Sequence, residues 1–401
     1  MSDAPPLSVP LLDLKAQYKT IRKEIRQAVD DVLESQRFIL GPRVADFEKC
    51  VASYLDCKAA VGVASGSDAL LLALMALDIG QGDGVLVPTF TFFATASCIA
   101  RLGATPVFVD SDPTTYLLSQ ETVGAALEGA ELDPKHGAWR HHRSGSPIKA
   151  LIPVHLFGQA CSMEPLTALG TKHRLSIIED AAQAMGARSL CAGDASKYAG
   201  TIGDLGCFSF FPTKTLGGIG DGGLVATNDQ DLAEKIRRLR MHGEGSRYYH
   251  ELIGINSRLD ALQARVLEIK LRYLEGWCAE RVKCAESYHD LFTAAKLLND
   301  GVIHLPATGA GRAHVFNYYV IRVERRDRLK QYLTDHGIQS EVYYPVPLHL
   351  QPCFSYLGYR RGDFPGAESI AAEVLALPMY PELTLQQQEL VVRTIRDFFR
   401  S

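Results

Sequence analysis

The nine cysteines of this 401-residue chain form no CxxC pair and no Cys/His spacing of the kind that holds a metal. That pattern excludes a disulfide framework and a structural metal centre. Several cysteines sit in apolar segments, as Cys98 and Cys207 do, which suits a reducing compartment where cysteine packs as a small hydrophobe. Basic residues are not in excess either: the formal net charge is -4, which argues against a nucleic-acid partner. Arg140, His141, His142 and Arg143 form the one local basic cluster, read as an exposed loop. The apolar helix predicted over 69–77 is far too short to span a bilayer, so no membrane partner is expected. The N-terminal stretch lacks the basic start and continuous apolar run of an export signal, so a cytoplasmic location is the expectation. No internal repeat or low-complexity tract is visible.

What is present is ordinary for a soluble globular enzyme, with 47% hydrophobic and 22% charged residues. The length allows a large core and two domains. An amphipathic helix is predicted over 14–34. Short apolar strands then alternate with helices: strands near 59–64, 85–88, 105–110, 148–155 and 176–180, with helices between them. This alternation implies βαβ units and an α/β fold around a mostly parallel sheet covered by helices on both faces. Residues 128–147 read as a polar surface insertion. After a strand at 224–227 the pattern is helical, with a long helix through 258–277. A smaller α+β unit follows, with strands at 315–323 and 340–344 and helices at 326–336 and 385–399. The boundary is expected within the long helix, near 270–285, dividing the chain into 1–275 and 276–401.

The segment Cys207-Phe208-Ser209-Phe210-Phe211-Pro212-Thr213-Lys214 carries the strongest chemical signal. An apolar strand runs through a Pro-bearing turn to one lysine, and the glycines at 217–223 let backbone or a bound group approach closely. A lysine placed there loses part of its hydration and can act as an amine nucleophile toward carbonyl compounds, pyridoxal 5'-phosphate (PLP) among them. Asp180 ends the run Ser176-Ile177-Ile178-Glu179-Asp180. Carboxyl ends of parallel strands face the ligand crevice, and a carboxylate there can keep a pyridinium nitrogen protonated. The competing reading makes Asp180 the N-cap of a helix starting at Ala181. Gln183 lies near enough to reach the ring's phenolic oxygen. Ser65, Gly66 and Ser67, between a strand and a helix, would aim backbone N–H groups and a helix dipole at a phosphate, or simply cap the helix. Ser209 could add a hydroxyl, or be a satisfied core group. Phe92, among three neighbouring phenylalanines, is the choice for stacking on a flat cofactor. His155 is either a crevice residue or a core histidine.

In order, the segments VGVASGSDALLLAL, VLVPTFTFFATA, ATPVFVD, IPVHLFGQ, IIEDAAQAMGA, CFSFFPTKTLGGIGDGG, GINSRLDALQA and YYPVPLHLQP resemble the DegT/DnrJ/StrS family of PLP-dependent sugar-nucleotide aminotransferases over nearly the whole chain. The resemblance implies a fold type I homodimer with active sites at the subunit interface, and amino transfer from L-glutamate to a keto sugar nucleotide. By position, Lys214 matches the Schiff-base lysine, Asp180 the pyridinium partner, Gln183 the residue beside it and Phe92 the stacking group. Gly66, Ser67 and Ser209 match the phosphate site. Asn256 and Arg258 match residues that reach across from the other subunit; taken alone they read as a helix cap and a surface ion pair. Where many members read HYP, this chain has Tyr343-Tyr344-Pro345, and Tyr343, Tyr344 and His349 are candidate sugar contacts. Two alternatives remain: a PLP-dependent sugar dehydratase, against which Lys214 argues because those members carry His there, and a non-catalytic regulatory protein on the same scaffold.

Overall fold

The computed structural model describes residues 8–133, 138–190, 196–298, 301–307 and 314–400. An N-terminal helix α1 (Leu14–Ser35) and α2 (Pro42–Leu55) precede an alternating region. That region runs β1 (Ala59–Val63), α3 (Gly66–Ala76), β2 (Gly84–Pro88), α4 (Phe93–Arg101), β3 (Thr105–Val109) and α5 (Gln120–Glu128). A hairpin of β4 (Ala130–Asp133) and β5 (Ala138–His141) leads into β6 (Ile148–Leu151), α6 (Met163–His173) and β7 (Ser176–Asp180). Next come the short pair β8 (Arg188–Leu190) and β9 (Ser196–Tyr198), then β10 (Leu205–Ser209), β11 (Gly223–Thr227) and α7 (Gln230–Leu239).

Seven strands form one sheet in the order β1-β11-β10-β7-β6-β2-β3. Strand β11 alone pairs antiparallel with its neighbours; β10, β7, β6, β2 and β3 pair parallel. The link accounts for this: residues 210–222 hold no helix to carry the chain back across the sheet, and a direct return beside β10 is antiparallel. Strands β1 and β2 are buried along their whole length, and α3 buries seven residues between Ala69 and Ala76 against the sheet. Their near-continuous apolar sequences reflect cover on both faces.

Three expectations and one competing reading are corrected. Residues 128–147 are not a surface loop: β4 and β5 pair, with Ala130 opposite His141, although 134–137 lie outside the described residues. Of the basic cluster there, His142 and Arg143 are exposed as expected, and only His141 is buried. His141 is buried, its Nδ1 3.0 Å from Ser144 Oγ, while Arg143 crosses to Asp363 at 3.1 Å and lies over the Tyr359 ring. The long helix at 258–277 is two, α8 (Ala261–Leu271) and α9 (Leu274–Ala294). The break lets Arg272 and Tyr273 both bind Glu24 on α1. The segment at 340–344 is not a strand; only Glu341 makes an isolated bridge, to Ala376. Finally, turns rather than a helix follow Asp180.

Beyond the short hairpin β12 (Glu244–Ser246) and β13 (Tyr249–His250), the C-terminal part holds β14 (Ile303–His304), β15 (Tyr319–Val323), α10 (Arg326–Asp335), α11 (Pro365–Glu373), β16 (Val374–Leu377) and α12 (Leu385–Arg400). Its core gathers Tyr288, Phe292, Ile321, Leu333, Leu377 and Ile395. We propose that the division falls inside α9, because Cys278 packs with the large unit whereas Tyr288 and Phe292 pack with the small one. Val9 also joins the smaller core, bridging to Ile338.

One buried carboxylate organises the sheet behind the site. Glu179, fully buried, accepts from His155 Nε2 at 2.8 Å and from the amides of Gly200, Ile202 and Gly203 at 2.6–2.8 Å. His155 Nδ1 in turn accepts the Cys161 amide at 3.0 Å, so the ring proton sits on Nε2. Burial pushes the Glu179 carboxyl up, but the His155 hydrogen bond and the Gly203 and Gly200 amides outweigh it and hold the group below its ordinary value. Glu179→Ala is expected to cost ~3–5 kcal/mol, because it strands three amides and a histidine in the core. Urea unfolding checks this. Since the folded pKa is lowered, this stabilisation is complete above the ordinary glutamate pKa and disappears as pH falls through the folded value.

Candidate active site

The order β1-β11-β10-β7 sets the C-terminal ends of β1, β10 and β7 beside the start of β11. At the end of β1, Ser65 caps α3, its Oγ accepting the Asp68 amide at 3.0 Å. Backbones converge here: a Cβ on Gly66 would lie 2.7 Å from Ser209 Cβ, and one on Gly223 2.3 Å from the Ser65 carbonyl. Only glycine allows that approach, which sets the free N-terminal amides of α3 beside the Ser209 hydroxyl. Amides, dipole and hydroxyl together make an anion seat.

A cavity of about 410 Å³ opens from this seat. Its wall includes Ser65, Gly66, Ser67, Ser209, Lys214, Asp180, Gln183 and Phe92, together with Tyr343 and Tyr344. Lys214 sits on the loop linking β10 to β11, its amide donating to the Phe211 carbonyl at 2.9 Å. Asp180 is only 5% exposed; its Oδ2 accepts from Thr95 Oγ1 at 2.8 Å and its Oδ1 from the Ala182 amide at 3.2 Å. Burial pushes its carboxyl above the ordinary value, against the downward pull of the Thr95 hydroxyl, the Ala182 amide and the charge of Lys214. Such a carboxylate faces the cavity undercompensated until a cation meets it. Gln183 is oriented at both ends: Oε1 accepts the Phe157 amide at 2.6 Å, and Nε2 donates to the Tyr344 hydroxyl at 3.1 Å. Phe92 is 54% exposed, its ring 5.9 Å from that of Tyr344.

Four sequence candidates lie outside this wall among the described residues. His155 is committed to Glu179. His349, buried, has Nδ1 2.8 Å from Thr89 Oγ1 and Nε2 3.2 Å from Glu368, so it braces the segment leading to Phe92 and lies off the cavity wall. It is buried because Thr89, 260 residues away, closes over it, which local reading does not reveal. Asn256 is exposed and bridges to Met241; Arg258, half-buried, lies beside the Met241 sulfur. Sequence reading missed Thr95 and Tyr318. Thr95 had a signal: it stands three residues after Phe92, on the same face of the turn that starts α4. Tyr318, whose ring lies 4.4 Å from that of Tyr343, had none.

The family model for the DegT/DnrJ/EryC1/StrS aminotransferase family matches residues 19–396. The chain is 45% identical to a pleiotropic regulatory protein of Geobacillus stearothermophilus, over 98% of this chain and 99% of the other. It is 41% identical to a UDP-N-acetyl-3-dehydro-alpha-D-glucosamine 3-aminotransferase of Acidithiobacillus ferrooxidans, over 97% of each. Its structure is similar to the crystal structure of S. venezuelae DesV, with a TM-score of 0.88 and 40% identity, covering 99% of this chain and 100% of that one. Aminotransferases of this family depend on PLP. The donors present fit that group: an amine, a buried carboxylate for a ring nitrogen, an oriented amide, an exposed phenyl face and a glycine-lined anion seat. On these grounds the chain belongs to the DegT/DnrJ/EryC1/StrS aminotransferase family and is a PLP-dependent aminotransferase.

Proposed function

We propose that this enzyme moves the amino group of L-glutamate to carbon 3 of a keto sugar nucleotide. The observation that carries the reading is the opening of Lys214 and the buried Asp180 into one cavity that also holds an anion seat. The choice of carbon 3 rests on relatives. Besides the UDP-sugar enzyme above, those at 40% and 39% identity are dTDP-3-amino-3,4,6-trideoxy-alpha-D-glucose and dTDP-3-amino-3,6-dideoxy-alpha-D-galactopyranose transaminases.

PLP bound in the cavity supplies an electron sink for the carbanion formed at the amino donor's α-carbon. The α3 amides, Ser67 and Ser209 would hold its phosphate, and Asp180 would keep the proton on its ring nitrogen. Gln183, already turned by Phe157 and Tyr344, would orient the phenolic oxygen, and Phe92 would cover one face of the ring and exclude water. Lys214 Nζ would anchor the cofactor at rest. When released, that amine takes the proton from the α-carbon of the donor and returns one to the sugar carbon that receives the nitrogen. Tyr343 and Tyr344 border the space left for the sugar.

The active unit in this reading is a cytoplasmic homodimer. Tyr248, Tyr249 and Ile253 are 76%, 72% and 93% exposed, next in sequence to Asn256 and Arg258. A second copy covering that apolar face would bring Asn256 and Arg258 to its neighbour's cavity. No described helix is long and apolar enough to cross a membrane. A dehydratase is not favoured, because position 214 is lysine. Nor is a non-catalytic regulator, the reading that the Geobacillus relative's name invites, because the amine, carboxylate and anion seat are all in place.

The test is a half-reaction. Adding L-glutamate to the PLP-loaded protein is expected to bleach the visible band and release one equivalent of 2-oxoglutarate per site. A UDP- or dTDP-linked 3-keto sugar should then restore the band. An unchanged spectrum with glutamate would sink the aminotransfer reading, and restoration only by 4-keto sugars would sink the choice of carbon.

A further inference from the structure

The loop that carries Lys214 is held from beneath by two polar side chains of α8 that the reaction itself does not use. Lys270 is 8% exposed, and its Nζ donates to the Gly217 carbonyl at 2.6 Å. Among the described residues no carboxylate pairs with it. Two turns earlier on α8, Gln263 is 9% exposed and its Oε1 accepts the Ile219 amide at 2.8 Å. The glycines leave no slack. A Cβ on Gly218 would lie 2.5 Å from Gln263 Oε1, one on Gly220 2.7 Å from Gln263 Nε2, and one on Gly217 2.2 Å from the Pro212 carbonyl. From above, the Gly218 amide donates to the Phe210 carbonyl at 2.8 Å. The loop is therefore fastened to Phe210, just past β10, on one side and to α8 on the other, and α8 is itself packed against α1 and α2.

A buried ammonium without a counter-ion is costly, and a methionine of similar length would fill the space without that cost. Burial lowers the Lys270 pKa to about 8, as expected for a cation with only a carbonyl dipole to meet it. A fold that needed only volume here would be better served by an apolar side chain. We infer that Lys270 and Gln263 are positioning residues that set the height and direction of Lys214 by gripping the carbonyl of Gly217 and the amide of Ile219. A displacement of about 1 Å at a reacting group can lower a rate on the order of 100-fold, so a grip at this point has leverage. The inference rests on the proposed role of Lys214.

The test compares Lys270→Met, Gln263→Met and Gln263→Glu, the last keeping an oxygen acceptor for the Ile219 amide. In cofactor-free protein, amide hydrogen exchange across 211–222 is expected to speed up at least about 10-fold in both methionine variants and to stay near wild type in Gln263→Glu. Exchange in β7 and α3 should not change, and Lys270→Met should stay folded, any drop in melting being limited to the lost hydrogen bond to the Gly217 carbonyl. With PLP loaded, kcat should fall roughly 10- to 100-fold in the methionine variants, with KM for the amino donor within about twofold. Unchanged exchange across 211–222 together with full turnover in Lys270→Met would overturn the inference. Should that variant fail to fold, the Gln263 pair decides, and identical loop exchange in Gln263→Met and Gln263→Glu would equally overturn it. Loop exchange is read without substrate, so its failure is distinct from failure of the Lys214 assignment.

Discussion

Lys214→Ala is expected to lower amino transfer by at least about 10³-fold, because it removes both the covalent anchor and the amine that moves the substrate proton. That loss corresponds to ~4 kcal/mol of transition-state stabilisation. The fold should survive, since Lys214 is half-buried on a loop and no described ion pair depends on it. Thermal melting of the cofactor-free variant should stay close to wild type, while the visible absorbance of the loaded enzyme disappears. A small primary amine added in solution should restore part of the lost rate, because it replaces the missing proton carrier without the anchor. Full turnover by the variant would remove the chemical basis of the proposed function.

Asp180→Asn is expected to be nearly as damaging to turnover and, unusually, harmless to the cofactor-free fold. The amide keeps the size of the side chain: its oxygen accepts the Ala182 amide and its NH2 donates to Thr95 Oγ1, whose own proton turns to the Phe92 carbonyl 3.3 Å away, but it cannot hold a proton on a ring nitrogen. A loss on the order of 10²–10³-fold in kcat follows if ring protonation makes the electron sink work. The effect of this carboxylate on stability has the opposite sign. Because burial raises the Asp180 pKa in the folded protein, the folded state holds a proton more readily than the unfolded chain. Cofactor-free stability should thus decline as pH rises from the ordinary aspartate value through the raised one, and stay lower above it. That slope should vanish in Asp180→Asn. Parallel urea titrations across this pH range, with and without PLP, measure both effects. A variant that turns over normally, or whose pH slope matches wild type, would contradict the role given to this carboxylate.

Local reading succeeded wherever a residue's partners lie within its own strand–turn unit. The all-apolar β1 and β2, the helix that opens at Ser65, and the lysine after the aromatic β10 are each decided by neighbours a few residues away. Reading failed where distant segments close over one another. Arg143 meets Asp363, 220 residues on, and His141 is buried, so the insertion that read as a free loop is tied to the C-terminal part although its basic residues stay largely exposed. His349 meets Thr89, and a candidate sugar contact becomes a buried brace. The break between α8 and α9 answers to Glu24, far upstream, and periodicity at 258–277 carried no trace of it.

The chain's residues by themselves determined the α/β alternation, the amine at 214, the carboxylate at 180 and the glycines between β10 and β11, because helical and strand periods and backbone freedom are properties of adjacent residues. Only the tertiary structure decided that β11 returns antiparallel, that Ser209 presses on Gly66 to complete the anion seat, that Thr95 steadies Asp180, and that Lys270 and Gln263 grip the loop of Lys214. Each of those depends on a contact across many residues of chain, and such contacts exist only once the sheet has chosen its order and buried its two faces.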